Sequence, residues 1–161
     1  MRRTKQASLA GAIQQTRPFA GVEREAYLSI LRTATELSHW TDQLLKAHGV
    51  TQAQYNVLRI LRGAGADGLC RNQIAGRLVA AMPDVSRLLD RMEEAGWIER
   101  ERGRKDRRQV AAAITAAGAR LLGRLDAPME ELHRAQFAGM GKGELKQLLA
   151  TLTAVRERTP E

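Results

Sequence analysis

The sequence predicts a mainly helical protein with one small β-hairpin. Apolar residues recur at helical spacing through most of the chain. Aromatic residues make up only 4% of it, and alanine and leucine are abundant, a composition that favours helices over sheets. The helical spacing gives way to the alternation typical of strands at residues 97–114. With 161 residues the chain is long enough for one compact core with additional helices around it.

The most informative helix is predicted at residues 83–95. One stripe of apolar residues recurs at i, i+3, i+4 and i+7: Val85, Leu88, Leu89 and Met92. Pro83 at the first helical position and Gly96 just after the last residue delimit the helix. The opposite face is polar: Asp84, Arg87, Arg91 and Glu94. An arginine one turn into such a helix suits an element that enters a DNA major groove, and an ordinary solvated helix face is the alternative.

A basic hairpin follows this helix. Residues 97–102 and 109–114 can pair as antiparallel strands, with Ile98, Val110 and Ile114 on the inward face. Between positions 100 and 108, two acidic residues, Glu101 and Asp106, stand against six basic ones: Arg100, Arg102, Arg104, Lys105, Arg107 and Arg108. So much positive charge on a thin loop suits the narrow, negative minor groove of DNA. The alternative is a solvated run of charge.

Three blocks of this region carry a family resemblance. They are residues 86–100, the triplet Asp106-Arg107-Arg108, and the run from Ile114 to Gly118. In order and spacing they resemble the signature of the MarR (multiple antibiotic resistance regulator) family of bacterial transcription factors. That signature is an Arg-Leu-x-Asp-x-Leu-Glu-x-x-Gly recognition helix, an Asp-x-Arg wing and a Leu-Thr-x-x-Gly helix entry. The sequence departs from this signature at Met92, where Leu is usual, and at Pro83, which lies early in the recognition helix. A weaker resemblance to the family extends over residues 23–158.

The resemblance implies a winged helix-turn-helix DNA-binding lobe at residues 51–114, with the recognition helix at 83–95 and the wing at 97–114. It also implies that helices from both ends of the chain, at 23–48 and 115–158, form a homodimer interface. Two copies on a two-fold axis, about 34 Å apart, would bind a pseudo-palindromic operator on double-stranded DNA. Repression is the family's commoner role. The alternative is a winged helix used as an architectural or protein-interaction module without operator specificity.

Candidate DNA contacts lie on both helices of the helix-turn-helix. Four residues at the start of the recognition helix are expected to contact bases: Pro83, Asp84, Ser86 and Arg87. Pro83 would do so by apolar contact with a thymine methyl group. Arg87 is the first choice, because arginine on guanine O6 and N7 is the commonest specific contact; a phosphate contact is its alternative. Arg71 and Asn72 begin the first helix, predicted at 71–78, and are expected to bind phosphate.

Arg91 on the recognition helix is a further candidate contact, and the predicted surface extends into the wing through four basic residues: Arg102, Arg104, Lys105 and Arg107. Arg104 and Lys105 stand at the tip and are expected in the minor groove or on phosphate. The resemblance assigns Asp106 a different role, because the family's matching aspartate pairs with an arginine that fixes the wing. Arg108 has the right spacing for that pair.

The remaining helices are predicted from spacing and caps. A basic, flexible arm that contacts DNA phosphate is predicted at residues 1–22, and a plain disordered leader is the alternative. A long helix at 23–48, about 37 Å at 1.5 Å per residue, ends at Gly49 and exceeds what a small lobe can cover. Thr51 and Gln54 have the pattern of a capping box at the start of the next helix. Residues 69–70 can form a short strand that pairs with the wing. Thr115 caps a helix in which Pro128 should cause a kink or begin a new segment, and the last helix spans 144–158.

A small-molecule effector is a further expectation from the resemblance. Many relatives release DNA when an aromatic or anionic molecule enters a crevice between the dimerisation helices and the DNA-binding lobe. Five residues lie on the helices that would line it: Ser38, His39, Trp40, Tyr55 and Arg59. An aromatic pair beside a histidine can hold a planar ligand, and structural packing is the alternative.

Charge and composition narrow the function class. A net charge of +8 with a pI near 10.5 suits a protein that binds a polyanion such as DNA. On charge alone, a membrane surface would be an equally suitable partner. The absence of a long apolar run and of an apolar leader predicts a cytoplasmic protein. Cys70 stands alone and excludes an internal disulfide, and the three histidines lack metal-ligand spacing. No catalytic or nucleotide-binding motif is recognisable, so neither an enzyme nor a cofactor is expected.

Overall fold

The computed structural model describes residues 8–102 and 110–158, of which Arg102 is described by its backbone alone. Seven α-helices lie in these ranges: α1 (Leu9–Ala12), α2 (Val22–Ala47), α3 (Gln52–Ala64), α4 (Arg71–Ala75), α5 (Val85–Glu94), α6 (Ala116–Gln136) and α7 (Lys142–Arg158). Three short strands accompany them: β1 (Leu69–Cys70), β2 (Ile98–Arg102) and β3 (Val110–Ile114). The predicted class, mainly helical with one small hairpin, is confirmed.

The three strands form one antiparallel sheet in the order β1-β3-β2. Leu69 pairs with Ala112, as expected for a short strand on the wing, and Ile98 pairs with Ile114. Gly68 permits the close approach of β1, because its φ is +63° and a Cβ there would lie 2.5 Å from the Ala112 carbonyl oxygen. The inward position predicted for Val110 is wrong: its side chain is 49% exposed, because it lies at the outer end of β3, and Ala112 is the buried residue.

One hydrophobic core joins the sheet to helices α2 to α6. The apolar stripe predicted for α5 is buried in full, with Val85, Leu88, Leu89 and Met92 each no more than 3% exposed. From the flanking helices, α2 contributes Leu45 and α6 contributes Leu122 and Leu125, all fully buried. The segment predicted as the DNA-binding lobe and the base of the flanking helices therefore pack as one unit.

The ends of the long helices follow their sequence signals. After α2 the N–H of Gly49 donates to the Lys46 carbonyl and that of Val50 donates to the Leu45 carbonyl, the two bonds that close a helix on a left-handed glycine. Thr51 and Gln54 form the predicted capping box of α3. Thr115 caps α6, which continues past Pro128 to Gln136, so no new segment begins at this proline.

Two helices leave apolar side chains on the surface. In the first half of α2, Tyr27, Ile30 and Leu31 are 61%, 41% and 47% exposed. Helix α7 has no buried residue, and its Leu149 is 64% exposed. The arm predicted at residues 1–22 contains one turn of helix, α1, capped by Ser8 and lying against α2. Within the described ranges no helix is long and apolar enough to cross a membrane.

Candidate nucleic-acid interface

The first helix of the helix-turn-helix is shorter than predicted. It was expected over residues 71–78, but α4 ends at Ala75, because the chain turns at Gly76. Turn hydrogen bonds continue from Arg77 to the Ile74 carbonyl and from Leu78 to the Ala75 carbonyl. Ile74 is fully buried against the core that α5 shares, so α4 still fixes the position of the second helix.

The recognition helix begins at Val85, not at Pro83. Asp84 is its N-cap: the Asp84 Oδ1 accepts the backbone N–H of Arg87 at 2.9 Å. Pro83 therefore precedes the cap and does not occupy the first helical position. The physical reason is that a carboxylate satisfies one of the unpaired N–H groups of the first turn, which proline cannot do.

The end of the recognition helix connects it to α6. The N–H of Gly96 donates to the Glu93 carbonyl and that of Trp97 donates to the Met92 carbonyl, with φ of +71° at Gly96. Thr115, the cap of α6, donates from Oγ1 to the Gly96 carbonyl at 2.7 Å and from its backbone N–H to the Trp97 carbonyl at 3.0 Å. These two hydrogen bonds join the start of α6 to the end of α5.

A second connection ties the wing to the recognition helix through Arg100 on β2. Its Nε donates to the Glu93 Oε2 at 2.8 Å, its backbone N–H donates to the Glu93 Oε1 at 3.1 Å, and its Nη2 lies 2.7 Å from the Asp90 Oδ1. The hydrogen bond from Arg100 lowers the pKa of Glu93, and the same bond raises the pKa of Arg100. Arg100 thus anchors the wing, and its charge is neutralised within the protein.

This anchor was not predicted from the sequence. Arg100 was expected among the solvent-facing basic residues of the wing, and the predicted wing pair was Asp106 with Arg108, both of which lie outside the described residues. The available signal was two acidic residues, Asp90 and Glu93, one helical turn apart just before the glycine turn that leads to Arg100.

The predicted major-groove residues are brought together on the exposed side of α5. Pro83, Asp84, Arg87 and Arg91 line one shallow depression with Met82 and Asp90. The side chain of Arg87 is 84% exposed and lies with Nε 3.2 Å from the Asp84 Oδ2. Arg91 donates from Nε to the Arg87 carbonyl at 3.3 Å, and Ser86 is exposed. This face therefore presents two exposed arginine side chains beside the first turn of α5.

The other predicted DNA contacts divide into two groups. Arg71 and Asn72 are exposed at the start of α4, where the Arg71 Nη2 donates to the Asn72 Oδ1 at 2.8 Å. The predicted contacts of the wing lie outside the residues whose side chains the structure describes: Arg102, Arg104, Lys105 and Arg107. Their positions stay predictions.

The five residues predicted for an effector crevice have separate environments. Ser38 accepts from the Gln52 Nε2 at 2.7 Å, His39 lies 2.8 Å from Gln43, and Trp40 is 58% exposed. Tyr55 is half-buried, with the Arg59 guanidinium 6.0 Å from its ring centre. Burial raises the pKa of Tyr55. Beside this pair, Arg62 on α3 forms a bidentate ion pair with Asp126 on α6 at 2.7 and 2.9 Å.

Comparisons with known proteins identify the family. The MarR family model matches residues 50–110. A MarR transcription factor from Planctomyces limnophilus has a similar crystal structure, with 34% identity and a TM-score of 0.65 over 85% of this chain and 99% of the other. The MepR–DNA complex of S. aureus matches at 27% identity and a TM-score of 0.73, covering 83% and 97%. The homoprotocatechuate degradative operon repressor of Escherichia coli is 26% identical over 80% of this chain and 87% of its own length.

These proteins are transcriptional regulators rather than enzymes. The two solved structures share the winged-helix fold described above. The resemblance stated from residues 86–118 is therefore confirmed by the family model and by structure. The chain belongs to the MarR family and is a DNA-binding transcriptional regulator.

Proposed function

We propose that this regulator is a homodimeric repressor that binds a pseudo-palindromic operator. The observation that carries the proposal is α7, a helix of 17 residues, about 25 Å long, that buries no residue in the single chain. Isolated helices of this length are marginal in water, because most helical stability in proteins comes from packing of an apolar face. One stripe of α7 is apolar and available to a partner: Leu145, Leu148, Leu149 and Leu152.

Helix α2 supports the same interface. Its exposed Tyr27, Ile30 and Leu31 lie on one stripe of the half that extends away from the core. We assign the dimerisation region to residues 23–48 and 115–158 and the DNA-binding lobe to residues 51–114. A second copy on a two-fold axis would cover both apolar stripes and would present two recognition helices to one face of a duplex.

In this proposal α5 enters the major groove with its first turn. Arg87 binds a guanine, Ser86 and Pro83 contact neighbouring bases, and Arg91 reaches the backbone. Arg71 and Asn72 bind phosphate from the start of α4. The wing follows the minor groove through its basic residues: Arg102, Arg104, Lys105 and Arg107. The exposure of Arg87 supports its role, because no burial restrains the guanidinium from reaching a base.

Paired variants test the two modes of contact. Arg87→Ala should relax the base preference at one operator position by roughly 5- to 150-fold, because a bidentate arginine contact discriminates by about 1–3 kcal/mol. Arg104→Ala should weaken binding to specific and random duplexes alike and reduce the salt dependence. Equal effects of both variants on every sequence would contradict the assignment and favour an architectural binder.

The dimer is tested by sedimentation of the purified chain. Leu149→Asp places a charge on the apolar stripe of α7 and should give monomers at concentrations where the unsubstituted chain is dimeric. Ala150→Asp is the matched control, because Ala150 is exposed and is not part of that stripe. A monomeric unsubstituted chain, or equal dissociation of both variants, would refute this interface.

Release by an aromatic or anionic effector completes the proposal. The name of a relative, the homoprotocatechuate degradative operon repressor, supports the repressor role. Tyr55 and Arg59 offer an aromatic ring beside a cation, and Ser38, His39 and Trp40 are the candidate residues on α2. Salicylate added to the DNA complex should release the chain, and Arg59→Ala should require more salicylate. Unchanged DNA binding across a panel of aromatic carboxylates would overturn this part.

A further inference from the structure

Asp84 contacts Arg87 twice at the start of the recognition helix. Its Oδ1 accepts the backbone N–H of Arg87 at 2.9 Å, and its Oδ2 lies 3.2 Å from the Arg87 Nε. The first contact caps α5 and the second is an ion pair with the guanidinium. Asp90, the other aspartate of the depression, is engaged by Arg100 of β2. Asp84 is therefore the carboxylate that faces Arg87.

We propose that Asp84 determines operator specificity through Arg87 rather than by touching a base. The carboxylate holds the guanidinium at Nε, which leaves the two terminal nitrogens as a planar fork for guanine O6 and N7. This inference rests on the base-reading role proposed for Arg87. It differs from the direct base contact that the sequence favoured for Asp84.

Orientation matters here because Arg87 is 84% exposed and otherwise free to adopt many rotamers. Fixing a flexible side chain before binding reduces the entropy lost when it docks on a base. A guanidinium held at one edge is also less able to swing to a neighbouring phosphate, which is the competing contact for any arginine in a groove. The expected result of the pair is sharper discrimination at one base pair.

The same carboxylate weakens binding to DNA in general, because a negative charge at the leading edge of the helix repels the phosphates. Asp84 should therefore lower affinity for every duplex while it raises the preference for one. A residue that only caps the helix would not produce these opposite effects. Asn is as good an N-cap as Asp, so Asp84→Asn keeps the start of α5 and removes the charge that holds Arg87.

The test begins with duplexes selected from a random library by the full, unsubstituted chain. Affinities are then measured by fluorescence anisotropy for the selected duplex, for each single base-pair replacement, and for a random duplex. The proteins are the unsubstituted chain, Asp84→Asn, Arg87→Ala and the double variant. Glu94→Gln is the matched control, because it removes one negative charge from the same helix two turns away from Arg87.

Arg87→Ala should abolish the preference for one guanine in each half-site. Asp84→Asn should lower the same preference by roughly 3- to 10-fold, a part of the bidentate discrimination, and should raise affinity for the random duplex. In the Arg87→Ala background, Asp84→Asn should leave the preference at that position unchanged. Glu94→Gln should raise affinity for all duplexes alike and preserve the preference.

The outcomes separate the inference from the proposed function. If Arg87→Ala abolishes the guanine preference and Asp84→Asn leaves it intact, the inference is overturned and base reading by Arg87 stands. If Asp84→Asn alters a preference equally with and without Arg87, Asp84 contacts a base itself and the inference is again overturned. If Arg87→Ala alters no position, base reading by Arg87 fails and the inference fails with it. Asp84→Ser, which also caps without charge, replaces Asp84→Asn if thermal unfolding shows that the latter is not folded.

Discussion

Gly118 marks the closest approach between α6 and the end of the recognition helix. It is buried at the third position of α6, and a Cβ there would lie 2.2 Å from the Trp97 carbonyl oxygen and 3.0 Å from the Ile114 Cγ1. That carbonyl also accepts the backbone N–H of Thr115 at 3.0 Å. A side chain at this position must therefore displace backbone, and the displacement would break the connection between α6 and α5.

Gly118→Ala should destabilise the fold by about 1–3 kcal/mol. Overpacking a filled site lowers the free energy of unfolding by about 1–3 kcal/mol, and a weakened hydrogen bond lowers it by about 1 kcal/mol more. The better helix propensity of alanine offsets up to about 1 kcal/mol of this loss. For a chain of 161 residues, 1 kcal/mol corresponds to about 2–4 °C, so Tm should fall by roughly 3–10 °C.

Gly123→Ala in the same helix is the matched control. A Cβ at Gly123 meets no atom within 4 Å, so only the propensity gain remains and Tm should rise by roughly 1–4 °C. Both variants are compared with the unsubstituted chain by circular dichroism at one protein concentration, because dimerisation would make Tm depend on concentration. Opposite signs support the close approach at Gly118, and equal stabilisation by both substitutions would refute it.

Two further predictions concern ion pairs. Asp126→Asn removes the pair that joins α3 to α6 and should lower Tm at pH 7 by about 1–2 °C. The hydrogen bond from Arg62 holds the pKa of Asp126 below its ordinary value. The difference in Tm between the variant and the unsubstituted chain should therefore persist above a pH of about 4 and vanish as the pH falls through the lowered pKa. A difference in Tm that remains in stronger acid would show that the ion pair is not its cause. Glu93→Gln should weaken binding of a selected duplex roughly 3- to 10-fold with little change in Tm, because the wing is then less firmly held on α5. Glu94→Gln, the neighbouring substitution, should not weaken binding, and an equal loss in both variants would argue against the anchor.

The helices that carry the core could be predicted because their signals are local. The stripe from Val85 to Met92 and the glycine after it specify α5 within a few residues, and the capping box at Thr51 specifies the start of α3. The start of α5 was misplaced because two local rules compete there. Proline favours the first helical position and aspartate favours the cap, and the hydrogen bond from the Arg87 N–H decides for Asp84.

The connections between elements could not be predicted in the same way. Arg62 and Asp126 are 64 positions apart in sequence, and their pairing depends on how α6 lies across α3. Arg100 reaches Glu93 only because the turn at Gly96 folds β2 back along the recognition helix. Charge patterns alone assign such arginines to a solvated or DNA-binding surface, since side-chain direction depends on tertiary packing.

We propose that two copies of this chain bind one duplex with their recognition helices a fixed distance apart. The most direct measurement is the stoichiometry and affinity on a selected duplex, compared with the same duplex carrying about 5 inserted base pairs, half a helical turn, between the half-sites. We expect two chains per duplex and an affinity loss of about 100-fold or more on insertion, because the second helix then faces the wrong side of the DNA. One chain per duplex, or an affinity that does not change with the spacing, would contradict it.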